Sequence, residues 1–138
     1  AGMPEYAVGR LEEAYGDLRG AKVAVLGVSY RGGVKETAFS GVFPLIEALR
    51  ERGARVVVHD PMYTDEELVA FGWEPYNLGD PGDAVVIQAD HPEYRNMSVG
   101  AGVVLDGRRV LDADRVPEVS VVGIGAATGR ASFGLSSA

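Results

Sequence analysis

The chain of 138 residues is 46% hydrophobic and 24% charged, which suits one folded domain and argues against disorder or a second core. Thirteen basic against 20 acidic residues leave a net charge of −7, which repels polyphosphate and excludes a general role on nucleic acid or an anionic membrane. Cysteine is absent, so this chain carries no disulfide, no thiolate metal site and no cysteine nucleophile. No apolar run nears the roughly 20 residues that cross a bilayer. Residues 1–4 lack the basic-then-apolar pattern of a secretory leader, so a cytoplasmic location is expected.

Residues 4–18 place Tyr6, Val8, Leu11, Ala14, Tyr15 and Leu18 at helical spacing, with Pro4 suited to a first turn, and predict an amphipathic helix. Residues 22–28, Lys-Val-Ala-Val-Leu-Gly-Val, read as a buried parallel strand. A glycine-containing loop follows. Phe39, Val42, Phe43, Ile46 and Leu49 then mark a helix face, and Pro44 places the helix start near Ser40 or Gly41. Residues 55–59 form a second strand, Thr64 caps a short helix to about Phe71, and 73–78 are a weak strand or a loop. Strands are expected at 83–88, 103–106 and 119–124, with a helical turn over 92–96.

Strands alternating with helices at this spacing predict an α/β Rossmann-like, doubly wound and mostly parallel sheet of about five to six strands behind an N-terminal helix. Right-handed crossovers gather the strand-to-helix loops at one edge, where such sheets bind ligands. The loop from Gly27 to Gly33 begins there. It is not a dinucleotide fingerprint, because Ser29 stands where a glycine is required, and not a P-loop, because Gly33 replaces the lysine. Asp60 ends the second strand, where dinucleotide-binding domains keep an acid for the ribose. Without the fingerprint, Asp60-Pro61 reads instead as a strand-terminating turn. His59 reads as packed. His91, in a loop after a strand, is better placed for chemistry, although a loop histidine is usually structural. Arg31 and Arg108 both follow strands that reach the ligand edge, and guanidinium forks match phosphate oxygens.

Five segments in order, 3–6 (Met-Pro-Glu-Tyr), 20–31 (Gly-Ala-Lys-Val-Ala-Val-Leu-Gly-Val-Ser-Tyr-Arg), 58–61 (Val-His-Asp-Pro), 83–91 (Asp-Ala-Val-Val-Ile-Gln-Ala-Asp-His) and 106–112 (Asp-Gly-Arg-Arg-Val-Leu-Asp), resemble the C-terminal domain of UDP-glucose/GDP-mannose dehydrogenases. The resemblance covers residue 3 to about 125. It implies a nucleotide-sugar-binding domain of an NAD-dependent 6-dehydrogenase that oxidises a sugar C6 alcohol to a uronate for polysaccharide synthesis. NAD and the cysteine nucleophile would be held by parts of a parent chain outside these residues, and the parent would be a homodimer. Residues 1–20 would then be the end of the parent's central helix and a linker, 21–125 the binding domain, and 126–138 a flexible tail.

By the same resemblance, Tyr30 and Arg31 stand where the family places an aromatic residue and a lysine at the ligand, and Arg108 matches the arginine of its Asp-x-Arg motif. No catalytic, cofactor or metal residue is assigned to this chain. Residues 35–41 depart from the family's pattern of two acids followed by Thr-Arg-Glu-Ser-Pro, which leaves open a different sugar or a reshaped phosphate contact; the sequence does not decide between uracil and guanine as the base. The alternative is a stand-alone regulatory nucleotide-binding module without redox chemistry.

Overall fold

The structure, a computed structural model, describes residues 3–28, 41–89, 91–94, 102–106, 119–123 and 130–133, with backbone alone at 3–4, 119–123 and 130–133. Its elements are α1 (Met3–Tyr15), β1 (Lys22–Leu26), α2 (Val42–Glu51), β2 (Arg55–His59), α3 (Asp65–Ala70), β3 (Glu74–Pro75), β4 (Ala84–Ile87), a 3-10 turn (Pro92–Tyr94), β5 (Val103–Asp106), β6 (Val119–Gly123) and β7 (Arg130–Phe133). One sheet runs in the order β3-β2-β1-β4-β5-β6-β7. It is parallel from β3 to β6, and β7 is antiparallel to β6. This is the Rossmann-like α/β sheet that the sequence predicts.

The two additional strands have simple origins. The two-residue β3 falls in the stretch read as weak strand or loop. The stretch 126–138, expected to be a flexible tail, carries β7, which pairs with the edge that β6 would otherwise leave open. Arg-Ala-Ser-Phe has no β-branched residue to announce a strand, so its pairing depends on the neighbour.

Helix boundaries follow local chemistry. Gly16, at φ 108°, stops α1 after Tyr15 and donates its N–H to the Glu12 carbonyl at 2.8 Å, while Leu18 stays buried beyond it. Pro44 is the third residue of α2, where a proline sacrifices no helical hydrogen bond. Thr64 caps α3 as expected. Its hydroxyl accepts from the Glu67 N–H at 3.1 Å and the Glu67 carboxylate accepts from the Thr64 N–H at 2.9 Å, closing a capping box.

Strand alternation divides the core in two. Val23, Val25, Val56, Val58, Val86 and Leu105 face α1, α2 and Leu68 of α3. Ala24, Leu26, Val57, Val85, Ile87 and Val104 face Tyr76 and Tyr94. Growth of the sheet toward β3 on one side and toward β5 on the other explains this. Right-handed crossovers then send α2 and α3 to one face and the Pro92–Tyr94 turn to the opposite one. Helix α1 folds onto the first face, with Val8 and Leu11 fully buried and Tyr6 and Tyr15 partly exposed. Arg52 at the end of α2 adds a rim contact, meeting Glu5 at 3.0 Å and Glu12 at 3.6 Å.

Strand order reverses between β1 and β4, and the backbones leaving these strands nearly touch. Gly27 adopts φ 105°, and a Cβ built there would lie 2.6 Å from the Ala89 Cβ and 2.7 Å from the Ala89 nitrogen. Gly27→Ala is therefore expected to cost about 3 kcal/mol or more, overpacking and backbone strain each contributing about 1–3. Gly9, in the middle of α1, has nothing within 4 Å of its missing Cβ. Gly9→Ala should gain about 0.5–1 kcal/mol from helix propensity. Urea unfolding of both variants beside the wild type checks the pair; equal effects of the two would contradict this assignment.

Candidate functional site

The C-terminal ends of β1, β2 and β4 are joined at the reversal of strand order. Gly27 donates its N–H to the His59 carbonyl at 2.8 Å, and Gln88 donates its N–H to the Leu26 carbonyl at 2.8 Å. Beyond them, Asp60 turns its carboxylate inward. Oδ2 accepts from the Val28 N–H at 2.7 Å and from His91 Nε2 at 3.1 Å, and Oδ1 accepts from the Met62 N–H at 2.7 Å. One side chain thus ties the chain leaving β1 to that leaving β2 and that leaving β4.

The contact with Met62, two residues on, is the strand-terminating turn expected of Asp60-Pro61. The links to Val28 and His91 bridge 32 and 31 residues of sequence, and local reading has no access to them. Asp60 and His91 are 2% and 1% exposed, so neither side chain is available to a ligand in the crevice.

A second layer surrounds this carboxylate. The Tyr94 hydroxyl donates to the His59 carbonyl at 3.1 Å and lies 3.1 Å from His59 Nδ1. A phenol has one proton to give, so with that proton on the carbonyl the His59 ring must donate from Nδ1. The Tyr94 ring meets both His59 and His91 edge to face, with centroids 5.6 Å apart in each pair. His59 is packed, as its strand position suggested. Nothing in the local sequence marks Tyr94, because its contacts with His59 are 35 residues away.

Electrostatics follow from burial and from these bonds. Burial raises the Asp60 pKa, but hydrogen bonds from His91, Val28 and Met62 outweigh it and hold the carboxyl below its ordinary value. Burial lowers the His59 ring, and His91 adds to that, against the opposing pull of the Asp60, Glu93 and Asp65 carboxylates. Burial also raises the Tyr94 phenol far out of the physiological range, with Asp60 and Glu93 contributing.

Asp60 occupies the position of a ribose-binding acid, yet its oxygens are engaged internally. The described residues therefore do not fit NAD at this edge. Among them, no group of three or more His, Asp or Glu side chains is arranged to hold a metal ion, and no helix is long and apolar enough to cross a membrane. Tyr30, Arg31 and Arg108 lie outside the described residues. The strands that lead to them are described: β1 and β5 end on one edge, with β4 between them.

These features define a Rossmann-like ligand-binding domain without a dinucleotide fingerprint. The signature of the UDP-glucose/GDP-mannose dehydrogenase family, UDP binding domain, matches residues 24–113, and the chain belongs to that family. It is 30% identical over 122 residues to a UDP-N-acetyl-D-mannosamine dehydrogenase of Pyrococcus horikoshii, covering 79% of this chain and 28% of the relative. It is 32% identical over 120 residues to the UDP-glucose 6-dehydrogenase AglM of Haloferax volcanii, covering 80% and 28%. A solved UDP-glucose dehydrogenase of Pyrobaculum islandicum superposes with a TM-score of 0.68 at 34% identity, covering 82% of this chain and 28% of that one. The chain thus spans little more than a quarter of the length of these relatives.

The pKa shifts predict two acid-sensitive windows. A neutral, half-buried His59 contributes stability that is complete above pH 6.5 and is withdrawn as the pH falls below it, because the unfolded chain takes up the proton first. The ionised Asp60 contributes stability that is lost only below 3.8, as the pH falls through its lowered folded value. His59→Asn keeps a hydrogen-bonding group near Nδ1 without titrating. Calorimetric melts from pH 8 to 3 should lose the upper step in this variant and keep the lower one; an unchanged upper step would assign it elsewhere.

Proposed function

We propose that this chain is the UDP-sugar-binding part of an NAD-dependent nucleotide-sugar 6-dehydrogenase, a cytoplasmic enzyme that makes uronates for polysaccharide synthesis. The observation that carries the reading is the family signature over residues 24–113, lying on a sheet whose strand order reverses between β1 and β4. Oxidation itself belongs to other parts of a longer parent, which would supply NAD and a thiol. The absence of cysteine and the engagement of Asp60 both support that division. Residues 1–20 are assigned in this reading to the end of the parent's central helix and a linker, and the parent to a homodimer.

Tyr30, Arg31 and Arg108 are assigned to the substrate. Arg31 comes after β1 and Arg108 after β5 in the sequence, and these two strands, with β4 between them, lie about 10 Å apart in the sheet and end on one edge. The N-terminal end of α2 lies at the same edge and adds a dipole of favourable sign. A local cluster of this kind is needed because the net charge of −7 repels an anionic ligand at long range.

Isothermal titration of the complete gene product with UDP, GDP and NAD tests the assignment. UDP should bind, and Arg31→Ala and Arg108→Ala should each weaken it by about 1.5–3 kcal/mol. Wild-type affinity in both variants would remove the pair from the site. The 138-residue chain alone should form no NADH with any nucleotide sugar, and turnover above background would overturn the division of labour.

A further inference from the structure

We propose that Asp60 and His91 are positioning residues of the nucleotide-sugar site, holding the chain that leaves β1 and the chain that leaves β4 at one spacing without touching the ligand. The inference rests on the UDP-sugar reading above and adds residues that the reading does not assign. Three observations carry it. Asp60 Oδ2 is shared between the Val28 N–H, on the chain leaving β1, and His91 Nε2, on the chain leaving β4. Both side chains are almost wholly buried, so any effect on a ligand acts through the segments they hold. The crevice between β1 and β4 is also where the backbone at Gly27 runs too close to Ala89 to admit a side chain, so a small change in spacing is felt directly.

The pair is more than a packing contact. A hydrophobic pair of the same volume would fill the space but would satisfy neither the Val28 nor the Met62 N–H, both of which depend on the carboxylate. His91 in turn is held upright by the Tyr94 ring, which itself bonds to the His59 carbonyl at the end of β2. The orientation of the imidazole is therefore set from the β2 side, and its donor reaches an oxygen that also serves β1.

His91→Phe keeps a ring against Tyr94 and removes the donor to Asp60. His91→Gln returns a donor near the position of Nε2. In the complete gene product, titrated with UDP, His91→Phe should weaken binding at least tenfold and His91→Gln should return to within threefold of wild type. In turnover with the nucleotide sugar, KM should rise in His91→Phe by more than kcat falls. A His91→Phe protein that melts cooperatively and binds UDP like wild type overturns the inference while leaving the UDP-sugar reading intact. A wild type that does not bind UDP overturns both. Should His91→Phe fail to fold, amide exchange in the wild type decides: UDP should slow exchange at Val28 and at Met62, because coupling between latch and site is reciprocal. Unchanged exchange at Met62 would overturn the inference.

Discussion

One buried carboxylate, that of Asp60, ties the ends of three strands together. Removing an ionised side chain from water costs several kcal/mol, and among the described residues two backbone N–H groups and an imidazole offset that cost for Asp60. Each of those donors comes from a different strand end: β1, β2 and β4. The bonds are charge-assisted and short at the backbone, and they act where parallel strands would otherwise splay into loops. The reversal of strand order creates a crevice in any doubly wound sheet. Here an internal ion tied to both walls sets how wide that crevice stands.

The unequal cladding of the two faces belongs to the same logic. One face is closed by helices with long apolar stripes. The other, among the described residues, is closed by Tyr76 and Tyr94 with Leu78 packed beside them. The two tyrosines are therefore structural at both ends. The Tyr76 hydroxyl donates to the Asp80 carbonyl, and that of Tyr94 to His59, so each ring fills the core while its polar tip secures a loop. Exposed pairs such as Arg55 with Glu74, whose guanidinium and carboxylate meet side by side across β2 and β3, add little beside this.

Much of the architecture was legible from residue patterns. Arg55–His59 is legible to the residue because three consecutive valines sit between Gly53 and Asp60-Pro61. The start of α2 followed from the tolerance of a first turn for Pro44, and that of α3 from Thr64 and its acids. Legibility ended where contacts became distant. Asp60 carries a correct local signal, a turn, which conceals its longer reach to Val28 and His91. His91 was placed in the right loop, but nothing near it in sequence reveals its partner. Strand β7 has no β-branched residue and pairs with an edge that β6 leaves open. The assignment of Tyr30, Arg31 and Arg108 to the ligand rests on the resemblance, since they fall outside the described residues.

The near-contact of Gly27 with Ala89 bears on how such domains diverge. The floor of the crevice is made of main chain on one side and a methyl group on the other, with no room for a side chain at Gly27. A surface of that kind offers selection no side chain to vary. The relatives act, by their names, on UDP-glucose in one case and on UDP-N-acetyl-D-mannosamine in another. In this chain the floor tolerates little change at Gly27, so a change of ligand would have to come from residues further out along the loops.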